Sequence, residues 1–129
     1  MVVAIVGIMV AIAVPSLSAW RQQQALNNAA QTLLAHLKQA RMLAVAENRK
    51  VSLTFDATGY VFDADVSGNC TVCRNEVIRY DQFAKQLVVT PQTTRTFSSH
   101  GTVNFGSITL QLDGSKKIII NAIGRAYLQ

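Results

Sequence analysis

Met1 to Val14 reads MVVAIVGIMVAIAV, and Gly7 is the only residue in it outside the apolar set. As a helix at about 1.5 Å per residue, the run covers about 21 Å, short of the roughly 30 Å hydrocarbon core of a bilayer. Three readings compete. A buried core helix is disfavoured, because a small domain cannot bury a helix that is apolar on every side. A secretory signal peptide has the right apolar length, and Ala11-Ile12-Ala13 looks like a small-residue cleavage site, but no basic segment precedes it. A membrane helix needs a few more apolar residues upstream of Met1, and this third reading is the favoured one.

The residues that follow extend the helix. The first charge is Arg21, and Pro15 reads as a kink rather than a stop because helical periodicity continues past it. Leu26, Ala29, Ala30, Leu33, Leu37, Ala40 and Ala44 recur at steps of three and four, which puts them on one stripe. Gln22, Asn27, Gln31, Lys38 and Gln39 fall on the other side. One helix is therefore expected from near Met1 to about Asn48, apolar all round at first and amphipathic later. The expected division is a membrane or filament-core half over 1–20, an amphipathic half over 21–50 and a β domain over 51–129.

The pattern Met1-Val2-Val3-Ala4-Ile5-Val6-Gly7-Ile8-Met9-Val10-Ala11-Ile12-Ala13-Val14-Pro15, with a Gly inside the run and a Pro closing it, resembles the N-terminal helix of the type IV pilin and pseudopilin superfamily. Ala40-Arg41-Met42-Leu43-Ala44-Val45 and the Gly124-Arg125 ending look like the subgroup of type II secretion minor pseudopilin H, FimT and FimU. The resemblance spans the chain, but its specific part is the first fifteen residues. Family members carry a basic leader, a Gly cut by prepilin peptidase, and a Phe-rich start with a Glu. None of these has a position here, and the resemblance places them upstream of Met1. It implies assembly through the apolar stem, with Val3, Val6, Ile8, Val10, Ile12, Val14 and Pro15 as the packing residues. It also implies other pilin or pseudopilin subunits as partners, an inner-membrane location before assembly, and prepilin peptidase acting on the precursor.

Beyond Lys50 the period becomes two. Val51, Leu53 and Phe55 alternate with Ser52, Thr54 and Asp56, predicting a half-buried strand. Ala57-Thr58-Gly59 predicts a turn and Tyr60 to Asp65 the return strand. Further strands are expected over Val77–Tyr80, Gln86–Thr90, Thr94–Ser98, Ile108–Leu112, Lys117–Ile120 and Arg125–Leu128. Ser67 to Arg74 reads as a loop and Asn121 to Gly124 as a turn. Asp113-Gly114 reads as a tight hairpin turn with positive φ at both positions. The expected class is α+β: a long N-terminal helix packed by its Ala/Leu stripe on antiparallel β-sheet.

Composition limits the chemistry. The chain has 129 residues, half of them hydrophobic (50%) and 15% charged, which excludes a disordered or collagen-like chain. The net charge is +5, from 12 Lys and Arg against 7 Asp and Glu. Arg21, Lys38, Arg41, Arg49 and Lys50 lie on the helical part against Glu47 alone. The remainder is close to neutral, which weakens a nucleic-acid argument from overall charge.

Candidate sites are few. Cys70-Thr71-Val72-Cys73 is a C-x-x-C in a loop between strands. A redox motif would sit at the start of a helix in a βαβ setting, and zinc would need two more ligands. In an extracytoplasmic domain a local disulfide between Cys70 and Cys73 is favoured over free thiols or metal chemistry. Ser98-Ser99-His100-Gly101 is read as a polar turn rather than a nucleophile–base pair. Asp63 and Asp65, two apart, are read as a solvated strand face rather than an acid–base or Ca²⁺ site. No catalytic residue, metal ligand or cofactor-binding motif emerges, so the chain is expected not to be an enzyme and to need no cofactor. Some FimT-like proteins end in a Gly-Arg-x-Arg motif associated with DNA binding. Gly124 and Arg125 match it, and Tyr127 stands where the second Arg would be. The alternative function is therefore binding of double-stranded DNA through Arg125, Lys116, Lys117 and Arg95, with Tyr127 stacking on a base. The competing reading makes Gly124 a turn residue, Arg125 solvated and Tyr127 part of the sheet. A third function class is a secreted soluble binding protein, if the first segment is a signal peptide.

Overall fold

The computed structural model describes residues 2–66, 73, 75–112 and 114–129, without side-chain detail for 12–16. It opens on one helix, α1, Val2–Ala46, which continues through Pro15. The stripe decides where α1 packs: Leu26, Ala29, Ala30, Leu33, Leu37, Ala40 and Ala44 are all at most 2% exposed. Gln31, Lys38 and Gln39 on the other side are exposed, and Gln22 and Asn27 are half-buried. The helix ends two residues before the expected Asn48. Asn48 takes φ 53°, and the Arg49 amide bonds back to the Ala44 carbonyl at 3.1 Å. A left-handed residue just past the last turn, with a six-to-one bond across it, satisfies carbonyls the helix would otherwise leave open.

Among the described residues, eight antiparallel strands follow: β1 Val51–Phe55, β2 Gly59–Asp63, β3 Glu76–Arg79, β4 Val88–Thr90, β5 Thr94–Phe97, β6 Gly106–Gln111, β7 Ser115–Ile120 and β8 Ala126–Leu128. They form two four-stranded sheets, ordered β3-β2-β1-β5 and β4-β6-β7-β8. Alternation decides which side chains turn inward. Leu53 and Phe55 of β1, Phe97 of β5, Ile108 and Leu110 of β6, and Ile118 and Ile120 of β7 are buried, while their neighbours along each strand are more open. The helix stripe covers these residues, packing on β1 and β5 of one sheet and on β6, β7 and β8 of the other. A single core thus lies between one helix and two sheets, the α+β arrangement expected.

Some boundaries move for local reasons. Tyr80 leaves β3 to begin a short 3₁₀ turn, Tyr80–Gln82, and the Leu87 amide closes a turn on the Ala84 carbonyl, so β4 starts late. Asp65 lies past the end of β2 rather than on its face, and its amide donates to Asp63 Oδ1 at 2.9 Å. The β6–β7 register pairs Gln111 with Ser115, so the connection is three residues rather than two. Asp113, and residues 67–72 and 74 of the expected loop, lie outside the described residues. Between β1 and β2, Asp56 Oδ1 accepts from the Thr58 and Gly59 amides, both at 2.8 Å, and from the Thr58 hydroxyl at 3.0 Å. Those donors, the Thr58 amide first, hold the Asp56 carboxyl below its usual range.

Candidate functional site

Two surfaces stand out, and α1 supplies part of both. The first is the stem. Val3 is 85% exposed, Val6 55%, Ile8 63% and Val10 58%, and Trp20 further on is 59% exposed. The side chains of Ile12, Val14 and Pro15 lie outside what is described. Single exposed apolar residues are ordinary on a soluble protein, but a run of them such as Val2 to Val10 marks a surface that something else covers. Among the described residues, no helix is long and apolar enough to cross a membrane.

The second surface is a groove of about 710 Å³ between the end of α1 and β8. Leu34, Met42, Val45 and Leu128 form its apolar part, Lys38, Arg41 and Arg125 bring charge to it, and Tyr127 flanks it. The Asn121–Gly124 turn builds one end. Gly124 takes φ +85°, its amide bonds to the Asn121 carbonyl at 3.0 Å, and Asn121 Oδ1 accepts from the Arg125 amide at 2.9 Å. A Cβ on Gly124 would run into the Gly101 carbonyl oxygen and would stand 3.0 Å from Arg41 Nε. Gly124 is thus fixed by backbone conformation and by close approach, so the Gly in Gly124-Arg125 has a structural reason of its own.

The expected DNA-facing cations do not gather. Arg95 is only 6% exposed. Its Nη1 donates to the carbonyls of Asn104 at 3.0 Å and Phe105 at 3.1 Å, tying β5 to the segment entering β6. Burial lowers its pKa. A guanidinium held inside by two carbonyls is not available to phosphate, and this corrects the expectation for Arg95. The sequence carried the signal: Arg95 shares its parity in β5 with Phe97, which is fully buried. Lys116 and Lys117 point to opposite faces of β7, because Lys116 has the parity of buried Ile118 and Ile120 and Lys117 has that of Ile119. The β7–β8 register continues to a Gln129 amide bond with the Lys117 carbonyl and an Asn121 amide bond with the Arg125 carbonyl. Lys117 and Arg125 therefore sit about four residues apart along the sheet, or about 13 Å. Arg125 and Tyr127 are both exposed, and their neighbours in the groove are Lys38 and Arg41, which sequence reasoning missed.

The remaining candidates resolve into local structure. Ser98 Oγ pairs with Thr102 Oγ1 at 2.6 Å, inside a turn whose Gly101 has φ +82°. Among the described residues, no cluster of His, Cys, Asp and Glu could hold a metal ion. Cys70 lies outside the described residues; Cys73 Sγ accepts from Arg49 Nη1 at 2.8 Å, and no described cysteine is a free thiol. His36 Nδ1 shares a 2.6 Å hydrogen bond with the Tyr60 hydroxyl, a pairing across the helix–sheet interface that nothing in the sequence pattern announces.

A long helix, bare over Val2 to Val10 and laid on two antiparallel sheets over its second half, defines a pilin-like protein. The chain belongs to the GspH family: the family model described as type II transport protein GspH matches residues 29–124. Its fold is similar to that of the type IV minor pilin FimU of Pseudomonas aeruginosa, with TM-score 0.66 and 22% identity over 85% of this chain and 92% of that one. It is also similar to the minor pseudopilin EpsH from the type 2 secretion system of Vibrio cholerae, with TM-score 0.57 and 14% identity over 81% of this chain and 95% of that one. A comparison with curated protein sequences gives no match.

Proposed function

We propose that this chain is a minor pilin-like structural subunit of a type IV pilus or type II secretion filament, acting by assembly rather than by catalysis. The carrying observation is the contrast within α1: its second half is covered by the two sheets, while the described side chains of Val2 to Val10 are bare. Apolar area left in water costs about 25 cal/mol per Å². The stem therefore needs a lipid or protein environment. In this reading it rests in the bacterial inner membrane as a single pass, with the β domain in the periplasm, after prepilin peptidase has processed the precursor. On extraction into the filament, the stems of other subunits replace the lipid. In the oxidising compartment Cys70 and Cys73 close as a local disulfide, a state supported by the lack of a free thiol among the described residues.

Val6→Asp or Ile12→Lys tests this. Either variant should leave the body folded but fall out of the membrane fraction and of sheared filaments, because a charge at a helix centre costs roughly 2.5–3.5 kcal/mol in the membrane. Normal recovery of both variants in filaments would overturn the proposal.

A further inference from the structure

The groove between α1 and β8 has two properties that together specify what fills it. The first is charge. Lys38, Arg41 and Arg125 border it, no carboxylate lines it, and none of the three makes an ion pair among the described residues. The second is an open strand edge. β8 is the last strand of its sheet. The Asn121 amide bonds to the Arg125 carbonyl and the Gln129 amide to the Lys117 carbonyl, so residues 125, 127 and 129 turn their main-chain groups toward β7. By the alternation of an antiparallel ladder, Ala126 and Leu128 turn theirs the other way, and both residues line the groove.

We propose that this groove binds an extended acidic segment of a partner protein, which adds as a strand to the free edge of β8. Main-chain hydrogen bonds to Ala126 and Leu128 supply the docking, as in other strand additions. Alternate apolar side chains of the segment pack on Met42, Val45 and Leu128. Its carboxylates share the face of Arg125, and Lys38 and Arg41 add to the positive field along the groove, which selects the acidic partner and repels a basic one. A nucleic acid fits less well. Its phosphates would find the cations, but the apolar residues and the strand edge would go unused. The site lies beyond the bare run of α1, so this proposal stands apart from the filament reading and survives its failure.

The test uses the full chain in a non-ionic detergent micelle with a labelled eight-residue peptide of alternating Glu and Val. Three further probes accompany it: the same peptide with Lys for Glu, a peptide of Glu and Gly, and a duplex DNA. Binding is read by fluorescence anisotropy, and the site by hydrogen exchange of the Ala126 and Leu128 amides. The Glu-Val peptide should bind, slow exchange at both amides, and weaken as salt rises. Leu128→Pro removes one outward amide without touching the β7 ladder and should weaken binding about tenfold. Lys38→Gln with Arg125→Gln changes only exposed side chains and should weaken it about three- to tenfold. Peptide binding without slowed exchange at 126 and 128, equal binding of the Lys-Val peptide, or equal binding of the Glu-Gly peptide would overturn the proposal. DNA protecting these amides better than the Glu-Val peptide would reassign the groove to nucleic acid.

Discussion

Tyr60 and Tyr80 sit in the core at 2% and 4% exposure, and burial is the main force that raises both phenol pKa values. Negative neighbours add to it, the Tyr80 phenolate and then Glu76 for Tyr60, and Asp56 for Tyr80. In the unfolded chain both phenols titrate near 10 (about the model-peptide value), so above that pH the unfolded state gives up protons the folded state keeps. Stability should be flat with respect to these groups below about pH 10 and should fall as pH rises beyond it. Tyr80 Oη has no hydrogen-bond partner among the described residues, so Tyr80→Phe should change stability at pH 7 by less than about 1 kcal/mol. Denaturant titrations at a series of alkaline pH values should show a shallower decline for that variant, and an identical decline would show that Tyr80 contributes nothing to it. Single residues were only partly legible beforehand. Asp56 precedes a recognisable turn, yet its three donors exist only once the turn closes. The inward direction of Arg95 follows from its parity with Phe97, but its carbonyl partners come from nine and ten residues further along, in the segment entering β6.

Elements were legible where one face is buried. The α1 stripe was readable because burial on a helix must recur every three to four residues, and the strands because burial on a sheet recurs every two. Leu37 lies in the middle of that stripe at 0% exposure, so Leu37→Ala should cost about 2–5 kcal/mol by leaving a cavity between helix and sheet. Gln31→Ala, on the exposed side, should stay within about 0.5 kcal/mol. Urea unfolding of the two variants side by side checks the assignment, and similar losses would mean that the stripe does not carry the packing. Strand order was not legible. Neither the separation of β1 and β5 from β6–β8 into two sheets nor the meeting of α1 with β8 is written in any local period. For the same reason Lys38 and Arg41 could not be joined to Arg125 in advance.

At the scale of the whole molecule, the core residues among those described begin at Leu26, and none lies in the apolar N-terminal part of α1. The seven stripe residues begin at Leu26, and every sheet residue of the core lies at Val51 or beyond it. Deleting residues 1–20 should therefore leave body stability within about 0.5 kcal/mol while removing the need for detergent. Thermal unfolding of the shortened chain beside the full one decides this, and a collapse of the transition would place part of the core in the stem. The sequence alone leads one to expect such a division, because a helix apolar on every side and a helix apolar on one side need different surroundings.

The unbroken run of α1 from stem to body has a mechanical meaning. Its 45 residues make a rod of about 68 Å, and the buried stripe from Leu26 to Ala44 runs along about 27 Å of it. A pull along the rod loads those seven contacts in parallel, as shear, so the body must let go of all of them together. A sideways pull at the far end would instead peel them one after another. The fold is thus strongest against a pull along the helix and weakest against one across it.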